Sequence, residues 1–426
     1  MRLLLRQLRL LLFRTRLREV RWSFITLTWE DHFALLRATM AYALGLRSGG
    51  VDALERGLVD KLGVTHAITF GGGRTSLRAL LQALDVGPGA EVIVPAFTCV
   101  VVPFAIQHLG ATPVYVDIGE DYLLDLDLLR GAISERTKVI VAQHTFGYPD
   151  RVDEILAIAR PNGIRVVEDS AHALGRWPDG SAPGSKTDGA FFSFENTKPI
   201  TCFWGGAAVT MDDAVAARLR EAQDAAPRLG RWQTVRTGLH VLLAGALYHP
   251  SVVGTGRIVF ALLLRAGLLR ESIPAAQQQG APPAQPASRI SDLQAELLLR
   301  QLRRLDAIAE GRRASANRYA DHLGAPRPDL PLLRYPVQVE HRERAVRRFG
   351  ERQIELGQWF QAPLHPASCD FGQAGYRWGS CPVAEEIAAH CANLPTSIAG
   401  EDLEHVLRIV NAALGPVRCP AGTPRA

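Results

Sequence analysis

Short apolar segments alternate with longer helix-like segments from about residue 64 onward, and this alternation limits the folds open to the chain. A strand at His66–Phe70 is followed, across three glycines, by a helix at Arg74–Leu84. The same pattern predicts further strands at Glu91–Pro95, Pro113–Asp117, Lys138–Ala142 and Arg165–Glu168, and further helices at Thr98–Leu109 and Val152–Arg160. This order is typical of an α/β fold in which helices cover both faces of a mostly parallel sheet.

The C-terminal part has a different pattern. Leucines at helical spacing predict helix over Leu293–Leu323. A strand at Tyr335–Val339, a helix at Arg342–Leu356 and a closing helix at Glu401–Leu414 then predict a smaller α+β domain. With 426 residues, the chain is long enough for one large and one small domain, each with its own core.

The net charge of +5 comes largely from one short segment at the start of the chain. The arginines before residue 24 are Arg2, Arg6, Arg9, Arg14, Arg16, Arg18 and Arg21. The rest of the chain is close to neutral, so the charge gives little support to nucleic-acid binding. Residues 1–24 interleave arginine with leucine, which suits an amphipathic helix on a membrane. The alternatives are an ordinary surface helix and an extension from a misassigned start codon.

The six cysteines are scattered and no pair has CxxC spacing, which favours neither a metal site nor a disulfide scaffold. A reducing, cytoplasmic location fits this usage best. Residues 229–273 are unusually apolar, but each apolar run is shorter than the roughly 18 residues that span a bilayer. We predict buried helices there, with a membrane-dipping or partner-binding hairpin as the alternative. A linker rich in Pro, Gln and Ala follows, up to residue 286.

Two carboxylates end an apolar strand in the motif VVEDSAHALG, Val166–Gly175. Ligands of parallel sheets bind at the carboxyl ends of strands. A carboxylate at that place can hold a proton on a heteroaromatic nitrogen and make the ring an electron sink. Asp169 is the candidate for this role, and the equally weighted alternative is a helix N-cap.

Lys198 follows a second strand in the motif FFSFENTKP, Phe191–Pro199. Desolvation among aromatic side chains lowers the pKa of a lysine and makes its amine able to form an imine with an aldehyde. A lone lysine beside such a strand is more often a surface residue, so its neighbours carry the argument.

The glycine-rich turn GGGRTSL, Gly71–Leu77, joins a strand to a helix. Backbone N–H groups at such a helix start bind anions, and phosphate is the natural guest, with Arg74 beside it. The Lys-Ser/Thr ending of a P-loop is missing, and so is the full dinucleotide fingerprint.

The chain resembles the DegT/DnrJ/EryC1/StrS family of sugar aminotransferases over about residues 30–417. The matching segments, in order, are GGGRTSLRALLQALDVGPGAEVIVPAFT, LGATPVYVDI, HTFGYP, VVEDSAHALG, FFSFENTKP with GGAAVT, SRISDLQAEL, and PLHP with CPVAEEIAAHCANLP. The resemblance implies a fold-type I pyridoxal-phosphate enzyme, with a large domain built on a mostly parallel sheet of about seven strands and a smaller C-terminal α+β domain. The implied divisions are residues 1–29 (extension), 30–288 (large domain, with insertion 229–273 and linker 274–288), 289–417 (small domain) and 418–426 (tail).

The resemblance also implies roles for individual residues. Lys198 forms the imine with pyridoxal phosphate and moves protons, and Asp169 pairs with the pyridinium nitrogen. The implied cofactor-binding set is Gly73, Arg74, Thr75, Cys99, Asp169, His172, Ser193, Lys198 and Arg289. Arg289 lies in the segment that reaches the partner subunit's active site in this family, so a homodimer is implied. No metal is implied.

Several positions depart from the family pattern. Cys99 stands where an aromatic residue usually stacks on the cofactor ring, so that either Phe97 takes over or the stacking is lost. Ala287 replaces an Asn that usually contacts the phosphate. The segment after Lys198 is one residue short and carries Pro199 and Trp204. These changes surround the substrate and leave its identity open.

A lysine at position 198 favours transamination, because a dehydrating branch of the family has His there. The resemblance implies a ping-pong reaction in which an amino acid, commonly glutamate, aminates the cofactor. The cofactor then aminates a keto-sugar, usually nucleotide-linked, for polysaccharide, glycolipid or secondary-metabolite synthesis. The alternatives are a dehydratase, an aminotransferase for a lipid-linked sugar, and a catalytically silent membrane-associated protein on the same scaffold. Peripheral contact with the inner face of a membrane, through residues 1–24 or 229–273, is a further expectation.

Overall fold

The computed structural model describes residues 20–21, 26–46, 49–248, 253–266, 275–281 and 288–419. Most of the N-terminal extension, part of the 229–273 segment and Ala287 therefore lie outside the described residues.

A seven-stranded sheet in the order β1-β8-β7-β6-β5-β2-β4 forms the centre of the described structure. Only β8 runs antiparallel to its neighbours, β1 and β7. Its strands are β1 (His66–Phe70), β2 (Glu91–Pro95), β4 (Thr112–Val116), β5 (Thr137–Gln143), β6 (Arg165–Asp169), β7 (Gly189–Ser193) and β8 (Gly206–Thr210). The mostly parallel α/β fold is confirmed.

The strands are apolar throughout because both faces of the sheet are covered. On β2, Val92 and Val94 point into one core, while Ile93 points into the core on the other face. All three are completely buried. A strand that buries both faces needs a continuous apolar run rather than an alternating one. The sequence predicted β1, β2, β4, β5 and β6 to within one residue at each end, but it did not predict β8.

Helices precede the first strand of the sheet, connect its strands and follow its last strand. They are α1 (Trp29–Ala43), α2 (Gly50–Leu62), α3 (Gly73–Ala83), α4 (Val101–Gln107), α5 (Leu126–Ala132), α6 (Val152–Ala159), α7 (Asp213–Ala225), α8 (Arg231–Leu247), α9 (Val253–Arg265) and α10 (Ala275–Gln278).

The C-terminal part contains a three-stranded antiparallel sheet in the order β11-β9-β12, packed with helices. The strands are β9 (Arg334–Val339), β11 (Cys391–Pro395) and β12 (Val417–Arg418), and the helices are α11 (Asp292–Leu302), α12 (Leu305–Leu323), α13 (Arg342–Glu351), α14 (Pro382–His390) and α15 (Gly400–Leu414). A separate two-stranded pair joins β3 (Thr98–Cys99) to β10 (Leu364–His365) in parallel.

Three predicted helices differ from the structure in their bounds. The helix predicted at Thr98–Leu109 begins only at Val101, because Thr98 donates its backbone N–H to Pro363 and pairs as a strand. The helix predicted at Arg342–Leu356 ends at Glu351, since Gln353 has a φ of +59° and cannot continue it.

The helix predicted over Leu293–Leu323 is two helices, α11 and α12, separated at Arg303–Arg304. The break leaves Leu302 and Leu305, on its two sides, both buried. Leucine periodicity therefore continues across the break, which is why the pattern predicted a single helix.

The described parts of the apolar 229–273 segment contain the helices α8 and α9, as predicted, but only one face of α8 is buried. A Cβ added to Gly238 would lie 2.5 Å from Thr39 Oγ1, and one added to Gly245 would lie 2.5 Å from His32 Nε2, so the glycines let α8 approach α1 closely. The outer face exposes Trp232, so the prediction of buried helices is wrong for this face. Within the described ranges, no helix combines the length and apolarity needed to cross a bilayer.

Candidate functional site

The carboxyl ends of β6 and β7 lie side by side at one edge of the large sheet. Asp169, the last residue of β6, is in register with Phe191 of β7 and with Gln143, the last residue of β5. The strands are parallel, so the side chains that follow them gather at one edge. A cavity of about 320 Å³ lies there. Of the predicted site residues, those that line it are Gly73, Arg74, Cys99, Asp169, His172, Ser193 and Lys198.

Asp169 is buried, with 6% of its surface exposed, and it faces this cavity. Its Oδ1 accepts the backbone N–H of Ala171 at 3.0 Å. Burial raises the pKa of the carboxyl, and the Ala171 hydrogen bond and the charge of Lys198 oppose that rise. A cationic partner in the cavity would favour the ionised carboxylate further, which is the role predicted for Asp169.

Lys198 lies in the loop after β7, and its Nζ is 4.7 Å from the centre of the Trp359 ring. Burial lowers the pKa of this amine, and the charge of Arg334 lowers it further, while Glu195 has the opposite effect. A lowered pKa increases the fraction of uncharged amine, which is the form that attacks an aldehyde.

The start of α3 forms the anion-binding end of the cavity. The N-cap residue, Gly72, provides no side-chain cap, so the first N–H groups of the helix remain available to a ligand. A Cβ added to Gly73 would lie 2.8 Å from the Cβ of Ser193, so glycine allows the turn to contact the end of β7. The buried Nε of Arg74 has no hydrogen-bond partner among the described residues. Thr75 follows in the same helical turn but does not line the cavity.

His172 is buried and uncharged. Its Nδ1 accepts the backbone N–H of Phe146 at 3.2 Å, which places the ring proton on Nε2. Burial, followed by the charges of Lys198 and Arg334, holds its pKa well below the ordinary histidine value. Its ring stacks on that of Trp359, with 5.1 Å between centres. The imidazole therefore offers a neutral N–H donor beside the cavity.

Cys99 carries no ring, and two nearby aromatic residues, Phe97 and Trp359, differ in whether they face the cavity. Phe97 does not line the cavity, because its ring is packed against Tyr122, Phe146 and Phe360. The expectation that Phe97 could take over is therefore wrong. Trp359 lines the cavity instead. The motif around Lys198 does not indicate this residue. The indication that the sequence offers is that Trp359 lies six residues before His365 of the PLHP motif.

His365 is a second cavity residue to which the sequence assigned no role. Its Nε2 accepts the indole N–H of Trp359, so the ring proton lies on Nδ1, whose atom is buried and has no partner within the described structure. Burial lowers the pKa of this imidazole to about 3, helped by the charges of Arg334 and Lys198.

This lowered pKa predicts acid sensitivity. Between about pH 6.5 and pH 3 the unfolded chain binds a proton at His365 that the folded chain does not, so stability falls as the pH falls through that window. We expect His365→Gln to flatten the dependence of unfolding free energy on pH by up to about 1.4 kcal/mol per pH unit, one proton's worth. Urea unfolding at several pH values measures this. An unchanged slope would show that His365 is protonated in the folded protein.

Arg289 lies outside this cavity. Its Nη2 donates to the backbone carbonyl of Asp224 at 2.7 Å and pairs with the Asp224 carboxylate at 3.0 Å. Within one chain, Arg289 is therefore held against the C-terminal end of α7, with 18% of its side chain exposed. In the described part of the chain no cluster of His, Cys, Asp and Glu side chains could hold a metal ion.

The cavity joins a lysine amine of lowered pKa, a buried carboxylate and an anion-binding helix start. These groups fit a phosphorylated aldehyde that carries a basic ring nitrogen. Pyridoxal phosphate has all three matching parts, so the side chains present fit the cofactor that the sequence predicted.

Comparison with known proteins gives a consistent result. The model of the DegT/DnrJ/EryC1/StrS aminotransferase family matches residues 30–243 and 285–412. UDP-N-acetyl-3-dehydro-α-D-glucosamine 3-aminotransferase of Acidithiobacillus ferrooxidans is 29% identical over 383 residues, covering 85% of this chain and 90% of that protein. dTDP-3-amino-3,4,6-trideoxy-α-D-glucose transaminase of Micromonospora megalomicea is 30% identical over 393 residues, covering 88% and 92%.

Solved structures agree on the fold. S. venezuelae DesV, solved with a ketimine intermediate, superimposes with a TM-score of 0.69 at 25% identity, covering 93% of this chain and 100% of that one. Spr1654 of Streptococcus pneumoniae, in its PMP form, gives a TM-score of 0.68 at 23% identity, covering 93% of this chain and 97% of that one.

Proposed function

Because the chain belongs to the DegT/DnrJ/EryC1/StrS aminotransferase family, we propose that it transfers an amino group from an amino acid to a keto-sugar carried on a nucleotide. The enzyme is a pyridoxal-phosphate-dependent sugar aminotransferase. The observation that carries the proposal is the meeting of Lys198, Asp169 and the start of α3 in one cavity. The named relatives act on UDP- and dTDP-linked sugars, which supports a nucleotide-linked acceptor.

The side chains of the cavity would share the work as follows. Bound pyridoxal phosphate supplies an electron-withdrawing ring that stabilises negative charge on an adjacent carbon. Lys198 Nζ carries the proton that moves between substrate and cofactor carbons, and its lowered pKa suits that exchange. Asp169 keeps the ring nitrogen protonated, and the N–H groups at the start of α3 orient the phosphate.

The test is a single-turnover experiment with the amino donor alone. Absorption spectra of the protein with pyridoxal phosphate, before and after adding L-glutamate, should show conversion of the lysine-bound cofactor to its amine form. The control is D-glutamate, which places the wrong face of the donor toward Lys198. A visible absorption band that does not change with any amino donor would contradict transamination and favour dehydration. The absence of any such band would favour a catalytically silent scaffold.

The partner subunit would complete the site through Arg289. Two observations support this: Arg289 does not reach the cavity of its own chain, and it pairs instead with Asp224, whose side chain is largely exposed. We expect Lys198→Ala and Arg289→Ala to be severely impaired separately, and a mixture refolded together to regain activity, since a mixed dimer contains one site with both residues. Activity assays of the mixture measure this. A mixture no more active than its parts would place Arg289 outside the site.

An anionic bilayer is the proposed contact of the apolar face of α1 and α8. The exposed apolar residues on α1 and just after it are Trp29, Phe33, Leu36, Met40 and Leu44, and on α8 they are Trp232, Leu239 and Leu243. Soluble proteins rarely expose so many large apolar side chains together. Arg21 lies over the Tyr248 ring just after α8, 4.9 Å from its centre, and six further arginines precede it in the sequence. Basic side chains beside an apolar face suit an anionic membrane surface.

Cosedimentation with vesicles tests this contact. Phe33→Ser with Trp232→Ser should reduce binding to phosphatidylglycerol vesicles, while wild type should bind neutral phosphatidylcholine vesicles weakly. Leu128→Ser is the matched control, since Leu128 is also an exposed apolar residue but lies on α5. Equal pelleting of all variants contradicts membrane contact, and a change in oligomeric state instead would assign the face to a second copy.

A further inference from the structure

Helix α10 belongs to a stretch of the chain that the family model leaves unmatched. The model matches up to residue 243 and resumes at 285, so α10 (Ala275–Gln278) lies wholly within that stretch. Yet this short helix lies against the active-site cavity, and Gln278 is one of the residues that line it. An element outside the family match therefore contributes to a site whose centre lies inside the match.

Residues 275–280, which we call the glutamine segment, are held by contacts outside the cavity lining. Gln279 Nε2 donates to the carbonyl of Ser368 at 2.6 Å, on the loop that follows β10. The carbonyl of Gly280 lies 3.1 Å from His108 Nε2, just after α4. The segment is thus anchored to two elements that lie far apart in the sequence.

The glutamine segment also contacts the anion-binding end of the site. Gln277 Oε1 accepts a hydrogen bond from Arg74 Nη1 at 2.9 Å. Arg74 lines the cavity and keeps its buried Nε without a partner in the described structure. Gln277 therefore orients the guanidinium and leaves one N–H of Arg74 for an anionic ligand.

The chemistry of a carboxamide indicates what Gln278 would recognise. It carries both donors and an acceptor and has no charge, so it can bind hydroxyl groups without altering the charges of Lys198 and Asp169. An amino-acid donor offers charged groups, whereas a sugar ring offers several neutral hydroxyls. Resting on the proposed function, we infer that Gln278 is a specificity-determining residue that binds the sugar ring of the nucleotide-linked acceptor, with Gln277 a positioning residue for Arg74.

The experiment measures binding of three probes, UDP-N-acetylglucosamine, dTDP-glucose and GDP-mannose, to the enzyme loaded with pyridoxal phosphate, by titration calorimetry. For the probe that wild type binds best, Gln278→Ala should weaken binding about three- to tenfold, the range for one lost neutral hydrogen bond. Binding of the corresponding free nucleoside diphosphate, and the single-turnover reaction with L-glutamate, should be unchanged.

Gln279→Ala separates recognition from simple closure, because it removes the shorter contact with Ser368 and leaves the cavity lining intact. Gln278 makes the longer contact, in which its Oε1 accepts from Ser368 Oγ at 3.5 Å. A loss confined to Gln278→Ala and to the sugar part of the probe supports the inference. Equal losses in both variants, or equal losses for sugar nucleotide and free nucleotide, overturn it, because the segment would then act only as a cover. A wild type that reacts with L-glutamate but binds none of the probes overturns the nucleotide-linked acceptor and this inference together. Unchanged binding by Gln278→Ala overturns the inference alone.

Discussion

Lys198→Ala should lose turnover by at least about a thousandfold, the largest effect we expect of any single substitution. The variant loses both the amine that binds the cofactor and the group that moves the proton, and proton transfer alone contributes about 10²- to 10⁴-fold. The other residues that line the cavity offer no second amine, since they include no lysine and Arg74 carries a guanidinium group. Steady-state assays and the absorption spectrum measure the two losses separately.

Lys186→Ala is the matched control for this substitution. Lys186 is an exposed lysine twelve positions earlier that pairs with Asp153 at 2.9 Å. Its loss should leave both the spectrum and turnover close to wild type, because exposed ion pairs contribute little. If Lys198→Ala kept the long-wavelength absorbance of the lysine-bound cofactor, another lysine would have to carry the cofactor.

The sequence predicted the sheet because each strand has to bury both of its faces. That requirement produces continuous apolar runs, as in β2 and β5, and such runs can be recognised without knowing which strands pair. The same logic placed Asp169 at a strand end and the glycine turn at a helix start. Parallel pairing then brings these positions to one edge, so the centre of the site followed from local patterns together with one topological rule.

The outer wall of the site did not follow from local patterns. Trp359 and His365 reach the cavity because β10 pairs with β3, which joins residues more than 250 positions apart. No periodicity in either segment specifies that pairing. Gln278 is a comparable case, because a glutamine in a linker of Pro, Gln and Ala carries no signal of its own. Only tertiary contacts, of Gln277 with Arg74 and of Gln278 with Ser368, place it at the cavity.

The apolar sequence pattern also does not determine which face of a helix is exposed. The apolar sequence pattern of a helix is the same whether its outer face contacts protein, lipid or water. In α8 the inner face is recognisable afterwards by Gly238 and Gly245, seven residues apart, which approach α1. In the sequence alone, those glycines are equally compatible with a helix that is buried on all sides, and the apolar pattern predicts such buried helices.

Asp169→Asn is the second substitution for which we expect a large effect, a fall in turnover of about a hundredfold or more. Asparagine keeps an oxygen that can accept the Ala171 N–H, so the local backbone should hold, but it removes the negative charge that would stabilise a protonated ring nitrogen. Leaving a buried charge without its partner costs about 3–5 kcal/mol, and each 1.36 kcal/mol is a factor of ten in rate. Single-turnover rates with L-glutamate measure this loss apart from sugar binding.

Glu168→Gln distinguishes this electronic role from a structural one. Glu168 is the preceding residue of β6, equally buried, and its carboxylate accepts from Gly184 N–H and Thr187 Oγ at 2.7 Å and contacts His144. It points away from the cavity, so its loss should lower the midpoint of thermal unfolding more than the rate per folded molecule. Asp169→Asn should show the reverse, a slow reaction in a protein of near-normal stability. If both variants lost stability and rate in parallel, Asp169 would serve the fold rather than the ring, and the cavity would lack its electron-sink partner.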